Sequence, residues 1–157
     1  MLLPLGDAAS QHAHPVDRPH KEIQSCADRL AVLILSVVPL AADARTLQGW
    51  AKAAHVSVGS LRGYCCTAGV PAKQALDFAR LLRVVLRSGR GAWEPTRWLS
   101  VSDPRHLRRL LARGDLVQST GAAPLTPRTY LARQRLIPSQ SAVLSCVATR
   151  LKGRRAG

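Results

Sequence analysis

Aromatic residues are scarce in this chain: Phe, Tyr and Trp make up 4% of its 157 residues, with a single Phe. Strands draw on aromatic side chains and single-stranded nucleic acid is commonly held by stacked rings, so this scarcity disfavours a β-sandwich, a carbohydrate platform or a stacking-type binder. Acids are scarce too, nine Asp and Glu against 23 Lys and Arg, and the formal charge is +14. The four cysteines, at 26, 65, 66 and 146, include no Cys-x-x-Cys pair. A bridge between the adjacent Cys65 and Cys66 would be strained, so reduced structural thiols are expected. His12, His14 and His20 lie in a Pro-rich segment without Cys or acid ligands at metal spacing, and no zinc site is expected. The longest apolar run, Leu30 to Ala42, contains Pro39 and falls short of the ~20 residues that span a bilayer. It reads as a buried helix. The opening MLLPLGDAASQHAHP lacks a basic n-region and reaches Asp7 before its apolar stretch is long enough for a signal peptide, which predicts a cytoplasmic protein with no membrane partner. There is no phosphate loop of the G-x-x-x-x-G-K-[ST] type, no G-x-S-x-G elbow and no H-E-x-x-H, and the acids are too dispersed to suggest a catalytic pair. Neither enzymatic activity nor a cofactor is expected.

What is present is a hydrophobic fraction of 46%, enough for one core in a chain of this length. An all-α fold fits best. The charge is unevenly placed: residues 1–45 hold four basic residues and five acids, whereas residues 46–157 hold 19 basic residues and four acids. A solvated surface normally mixes both signs, so the one-sided segment points to a polyanion, with nucleic acid ahead of anionic membrane or an acidic protein. Only Lys21, Lys52, Lys73 and Lys152 are lysines. The planar fork of arginine suits phosphate and guanine edges, although a genome rich in G and C would also raise the Arg share.

Residues 1–21, with Pro4, Pro15 and Pro19, read as a flexible arm. A helix is predicted from about Glu22 to Val38, with Ile23, Ala27, Leu30, Ile34 and Val37 at spacings of three and four, ended by Pro39. Thr46 is a good N-cap for Leu47–Ala54, with Leu47, Trp50, Ala51 and Ala54 on one face. After His55-Val56, Ser57 caps a helix from Val58 to about Ala68, with Leu61 and Cys65 inward and Gly69 as the stop. Two short helices with so short a turn have the dimensions of a helix-turn-helix, whose second helix would offer Gly59, Ser60, Arg62 and Gly63 to the major groove. The two glycines read no bases but let the backbone approach DNA. A long connector helix follows Pro71 to about Ser88, ended by Gly89 and Gly91. The pattern then repeats: a short apolar segment from Trp93 to Leu99, then Ser100-Val101-Ser102, then Asp103 and Pro104 opening a helix from Arg105 to Arg113. Leu107, Leu110 and Leu111 face inward there, and Arg105, His106, Arg108, Arg109 and Arg113 remain for phosphates and guanines.

The segments Val56-Ser57-Val58-Gly59-Ser60-Leu61 and Val101-Ser102-Asp103-Pro104-Arg105-His106-Leu107 resemble the two helix-turn-helix turns of the DNA-binding domain of the AraC family of bacterial transcription regulators, the second one residue longer as in that family. Cys65 and Leu111 stand where the family usually has an aromatic residue, and Gly69 is followed eleven residues later by Arg80-Leu81, as on the family's linking helix. The likeness covers about residues 27–114. It implies two three-helix subdomains bridged by the long helix, with two recognition helices in successive major grooves. Only about 25 residues precede the first helix, too few for the family's effector-binding barrel, so the resemblance is to a stand-alone domain, degenerate at Gly63.

The double helix-turn-helix domain is thus expected over 22–116, and a basic, partly helical extension over 117–157 with seven basic residues and no acid. Thr126-Pro127 begins one short helix there, and Ser139 another whose Val143, Val147 and Leu151 would dock on the domain or, in a homodimer, on a second copy. Lys52, Lys73, Arg150, Lys152, Arg154 and Arg155 are candidate phosphate contacts. The leading expectation is a nucleoid-associated regulator that reads double-stranded DNA. The alternatives are a sequence-tolerant DNA-packaging or RNA-binding protein that contacts phosphates alone, and a protein-interaction module.

Overall fold

The structure is a computed structural model, and it describes residues 17–89, 93–117 and 125–154. Those residues form eight helices and no strand, an all-α fold. The first, α1 (Asp17–Ser36), begins five residues before the predicted Glu22, so the end of the expected arm is helical. Pro19 allows this because a first-turn residue has no intrahelical N–H bond to lose. Along α1, Ala27, Leu30, Ala31 and Ile34 are fully buried, and the helix stops short of Pro39 as predicted.

Next come α2 (Leu47–Ala53) and α3 (Val58–Thr67), each opened by the predicted cap: Thr46 Oγ1 accepts from Gly49 N at 3.0 Å and Ser57 Oγ from Ser60 N at 2.9 Å. The helix after Pro71 is α4 (Ala72–Ser88), and it is more than a bridge. Every residue from Ala75 to Val85 is buried, which only a helix surrounded by others can manage, and α1, α2, α3, α5 and α7 all pack on it. The apolar stretch before the second turn yields a single helical turn, α5 (Pro95–Trp98). It is followed by α6 (Pro104–Arg113), where Asp103 accepts from Arg105 N at 2.9 Å.

The C-terminal segment is not peripheral. Its helices α7 (Pro127–Arg133) and α8 (Ala142–Gly153) belong to the same hydrophobic cluster as the rest, with α8 on α1 and α7 on α4. Thr126 caps α7 as expected, but α8 is capped by Ser141 rather than Ser139, because a turn in which Ser141 N donates to Pro138 O at 2.8 Å delays the helix. Val143 and Val147 are fully buried and Leu151 half-buried, so the predicted stripe docks within the chain. Buried Gln134 closes the α7–α8 turn by accepting from Leu136 N and Ile137 N and donating to Ile137 O. Phe78 stacks on Tyr130 at 5.5 Å, and Trp50 Nε1 donates to Leu33 O at 2.9 Å, which satisfies the polar tip of the largest buried side chain. All four cysteines are free. No described helix is long and apolar enough to cross a membrane.

Three helices end in the same way. After α2, α3 and α6 the chain enters the left-handed region at His55, Gly69 and Asp115, with φ of 56°, 68° and 55°. The next amide reaches back across the last turn: Val56 N to Ala51 O, Val70 N to Cys65 O and Leu116 N to Leu111 O. These are Schellman closures, and the residue whose amide makes each, Val56, Val70 or Leu116, is apolar and joins the hydrophobic cluster. The repeat seen in the sequence thus extends to how α3 and α6 terminate, ten residues after they begin.

Candidate nucleic-acid interface

The residues expected to read bases lie on α3 and α6, and Ser60, Arg62, Arg105, His106, Arg108, Arg109 and Arg113 are all exposed. Apolar spacing decides this. On α6, Leu110 is fully buried and Leu107 and Leu111 half-buried, which turns the helix's arginines outward. Among the described residues Arg62, Arg105, Arg108 and Arg109 make no ion pair, and the acid nearest in sequence to α6's N-terminus, Asp103, is held by its cap. On α3 the offer is thinner: Ser60 Oγ lies 2.9 Å from Ser57 Oγ within the cap, so its hydroxyl is engaged there. Neither Gly59 nor Gly63 lies within 3.4 Å of a neighbour where a Cβ would stand. Packing therefore does not require glycine there.

Several cations expected to meet phosphate have protein partners instead. Arg113 and Lys73 converge on Asp77, with Arg113 Nη1 at 2.9 Å and Lys73 Nζ at 3.0 Å from its oxygens. Asp77 is fully buried on α4, and a buried carboxylate must be paired to be tolerated, so these two side chains tie α6 and the first turn of α4 together. Arg150 donates to both oxygens of Asp28 on α1, at 2.8 Å each, which fixes α8 to α1. Lys52, Lys152 and Arg154 are exposed without an ion pair among the described residues, and Arg155 lies outside those residues.

A row of arginines on α4, Arg80, Arg83 and Arg87, is engaged inside the protein as well. Arg80 binds Asp43 through two hydrogen bonds of 2.9 and 2.6 Å, with both side chains at most 3% exposed, and Asp43 also accepts from Ser100 N at 3.0 Å. This one carboxylate therefore joins the loop after α1, the centre of α4 and the segment leading to α6. Arg83 is buried and donates to Leu40 O, Ala41 O and Trp98 O. Burial pushes its guanidinium below the usual Arg value, while Asp43 opposes that and the neighbouring Arg87 and Arg80 add to it. Arg87 donates to Val38 O at 3.0 Å, and Arg83, Arg87 and Arg97 place their guanidinium carbons 5.9, 5.4 and 5.2 Å from the centre of the Trp98 ring. The i, i+3, i+7 spacing of Arg80, Arg83 and Arg87 was legible, but it reads equally well as a solvated face; burial of their neighbours gives it meaning.

Among the described residues no three His, Cys, Asp or Glu side chains are grouped to hold a metal ion. No family model, curated protein or solved structure matches the chain.

Proposed function

We propose that this protein is a DNA-binding transcription regulator that sets α3 and α6 into successive major grooves. The reading rests chiefly on α6, which is capped, anchored by Leu110 and Arg113, and turns Arg105, Arg108 and Arg109 outward without a described ionic partner. Such a row suits phosphate oxygens and the O6 and N7 edges of guanine. Each α2–turn–α3 and α5–turn–α6 pair ends in a Schellman closure, and both are fixed to α4, which would hold the two helices in a set relation. Lys52 and Arg62 add positive charge around α3.

A second reading, a sequence-tolerant binder of DNA or RNA that contacts phosphates alone, is favoured by α3. That helix presents Gly59 and Gly63 and a serine hydroxyl engaged in its own cap. Selection of bound duplexes from a random pool at two salt concentrations, followed by sequencing, separates the two. The regulator predicts an enriched motif of two short blocks about one helical turn apart. Strong low-salt binding without enrichment would instead identify the phosphate-only binder. Absence of binding at either salt would sink both.

A further inference from the structure

Away from α3 and α6, the turn after α1, the end of α4 and the facing sides of α7 and α8 line an open groove of about 800 Å³. Its wall is apolar, formed by Val38, Leu86, Leu131, Leu144, Ala148 and Leu151, and among the described residues no acid lines it. All but Leu144 are only half-buried, because the groove leaves one side of each open. At the rim stand Arg128 in the first turn of α7, Lys152 in the last turn of α8 and Arg154 at its C-cap. These three are exposed, and none makes an ion pair among the described residues. Two of them had been assigned from sequence to phosphate contacts.

We infer that this groove binds a single-chain amphiphilic anion, a fatty-acid-type carboxylate, with its alkyl chain along the Leu131–Leu144–Leu151 wall and its carboxylate at the Arg128, Lys152 and Arg154 rim. Charge complementarity selects the head: a rim of cations with no acid repels an ammonium and gives a neutral sugar head little advantage. Size selects the tail. The volume lies within the range of about 300–1,000 Å³ typical of small-molecule sites, whereas a stable protein partner needs about 1,000 Å² or more of buried interface. The site is separate from α3 and α6, so it stands or falls independently of DNA binding.

Calorimetric titration of the full chain with dodecanoate, kept below its micelle concentration, tests the assignment. Saturable uptake at one site per chain is expected, weaker by about three- to fourfold for each methylene removed and much weaker for dodecyl maltoside and dodecyltrimethylammonium. Ala148→Trp fills the groove from α8 and should abolish uptake while circular dichroism stays that of the parent. If that variant fails to fold, the surface pair Arg128→Ser with Lys152→Ser should weaken dodecanoate about tenfold or more and leave the maltoside unchanged. Equal affinity for dodecanoate and the maltoside would overturn the anion assignment. Uptake unchanged in both variants would move the ligand elsewhere on this basic surface. Binding to anionic vesicles without uptake of monomeric dodecanoate would assign the groove to a membrane, and a dimer abolished by Ala148→Trp would assign it to a second copy.

Discussion

In the α2–α3 pair, Trp50, Ala51, Leu61 and Cys65 are buried and α3 lies against α1, whereas in the α5–α6 pair only Leu110 is fully buried and α5 is a single turn. The second pair is held by polar ties from α4 and the loop after α1: Asp77 to Arg113, Asp43 to Ser100 N, and Arg83 to Trp98 O. Two segments of one local pattern have thus divided the work. The first has core and few groups to offer a ligand; the second has outward arginines and a thin apolar anchor. A helix that turns most of its circumference to solvent has little left to pack, and charged groups on a central helix can then position it where apolar area does not.

Removing a polar tie is the strongest way to break this contrast. Arg80→Ala would leave Asp43 buried without its partner, and a loss of about 3–5 kcal/mol is expected in urea unfolding, felt by both pairs because Asp43 joins them. Apolar truncation should separate the pairs. Leu61→Ala, at a fully buried site, should cost about 2–5 kcal/mol, and Leu107→Ala, at a half-buried one, about 1 kcal/mol; equal losses would refute the difference in anchoring. Binding sharpens it further. Arg105→Ala or Arg109→Ala should cost about 1–3 kcal/mol in duplex affinity and relax base preference. Arg62→Ala should relax preference within one of the two blocks, whereas an equal loss on all duplexes with a salt slope lower by about one, measured by titration at several salt concentrations, would place α3 on phosphate alone.

Smaller effects distinguish the helix ends. Gly69→Ala should cost about 1 kcal/mol, because a Cβ is strained at φ 68°, while Asp115→Gly should relieve similar strain and gain about 0.5 kcal/mol after the unfolded chain's added entropy is counted. Thermal unfolding of both variants measures this. The least effect is on pH. Burial, and then neighbouring Cys66, pushes the Cys65 thiol up to about 11 from its ordinary 9.0, and burial raises the Tyr130 phenol well above its usual value, with Asp77 adding to it. Both are neutral when folded, so their contribution is complete below about pH 9 and is lost as pH rises through the folded values. Stability should therefore fall from pH 9 to 11, and more shallowly in Cys65→Ser, as measured by urea midpoints across that range.

Much of the skeleton was legible locally. Thr46, Ser57, Asp103 and Thr126 each cap the helix assigned to them, and the inward faces of α2, α3 and α6 follow their apolar spacing. Caps and periodicity act within a few residues, so the chain declares them without its fold. Pro19 and Ser139 misled because a proline is as acceptable in a first helical turn as in an arm, and two serines two residues apart can each cap. The candidate site was legible as a list of outward cations, but not as a set of free ones. Arg113, Lys73 and Arg150 look like Arg105 and Arg109 in the sequence, and only their distance to Asp77 and Asp28 tells them apart.

The sequence by itself determined the helices, most of their caps and the faces they bury, because each depends on side chains a turn or two apart. Tertiary structure decided which charges are free. Asp43 and Arg80 stand 37 positions apart and Asp28 and Arg150 stand 122 apart, and such pairs exist only once packing has removed the water between them. Packing likewise turned α4 from a bridge into the centre of the core and brought Arg128, Lys152 and Arg154 to one groove, since burial on every side is a property of neighbours and not of a segment.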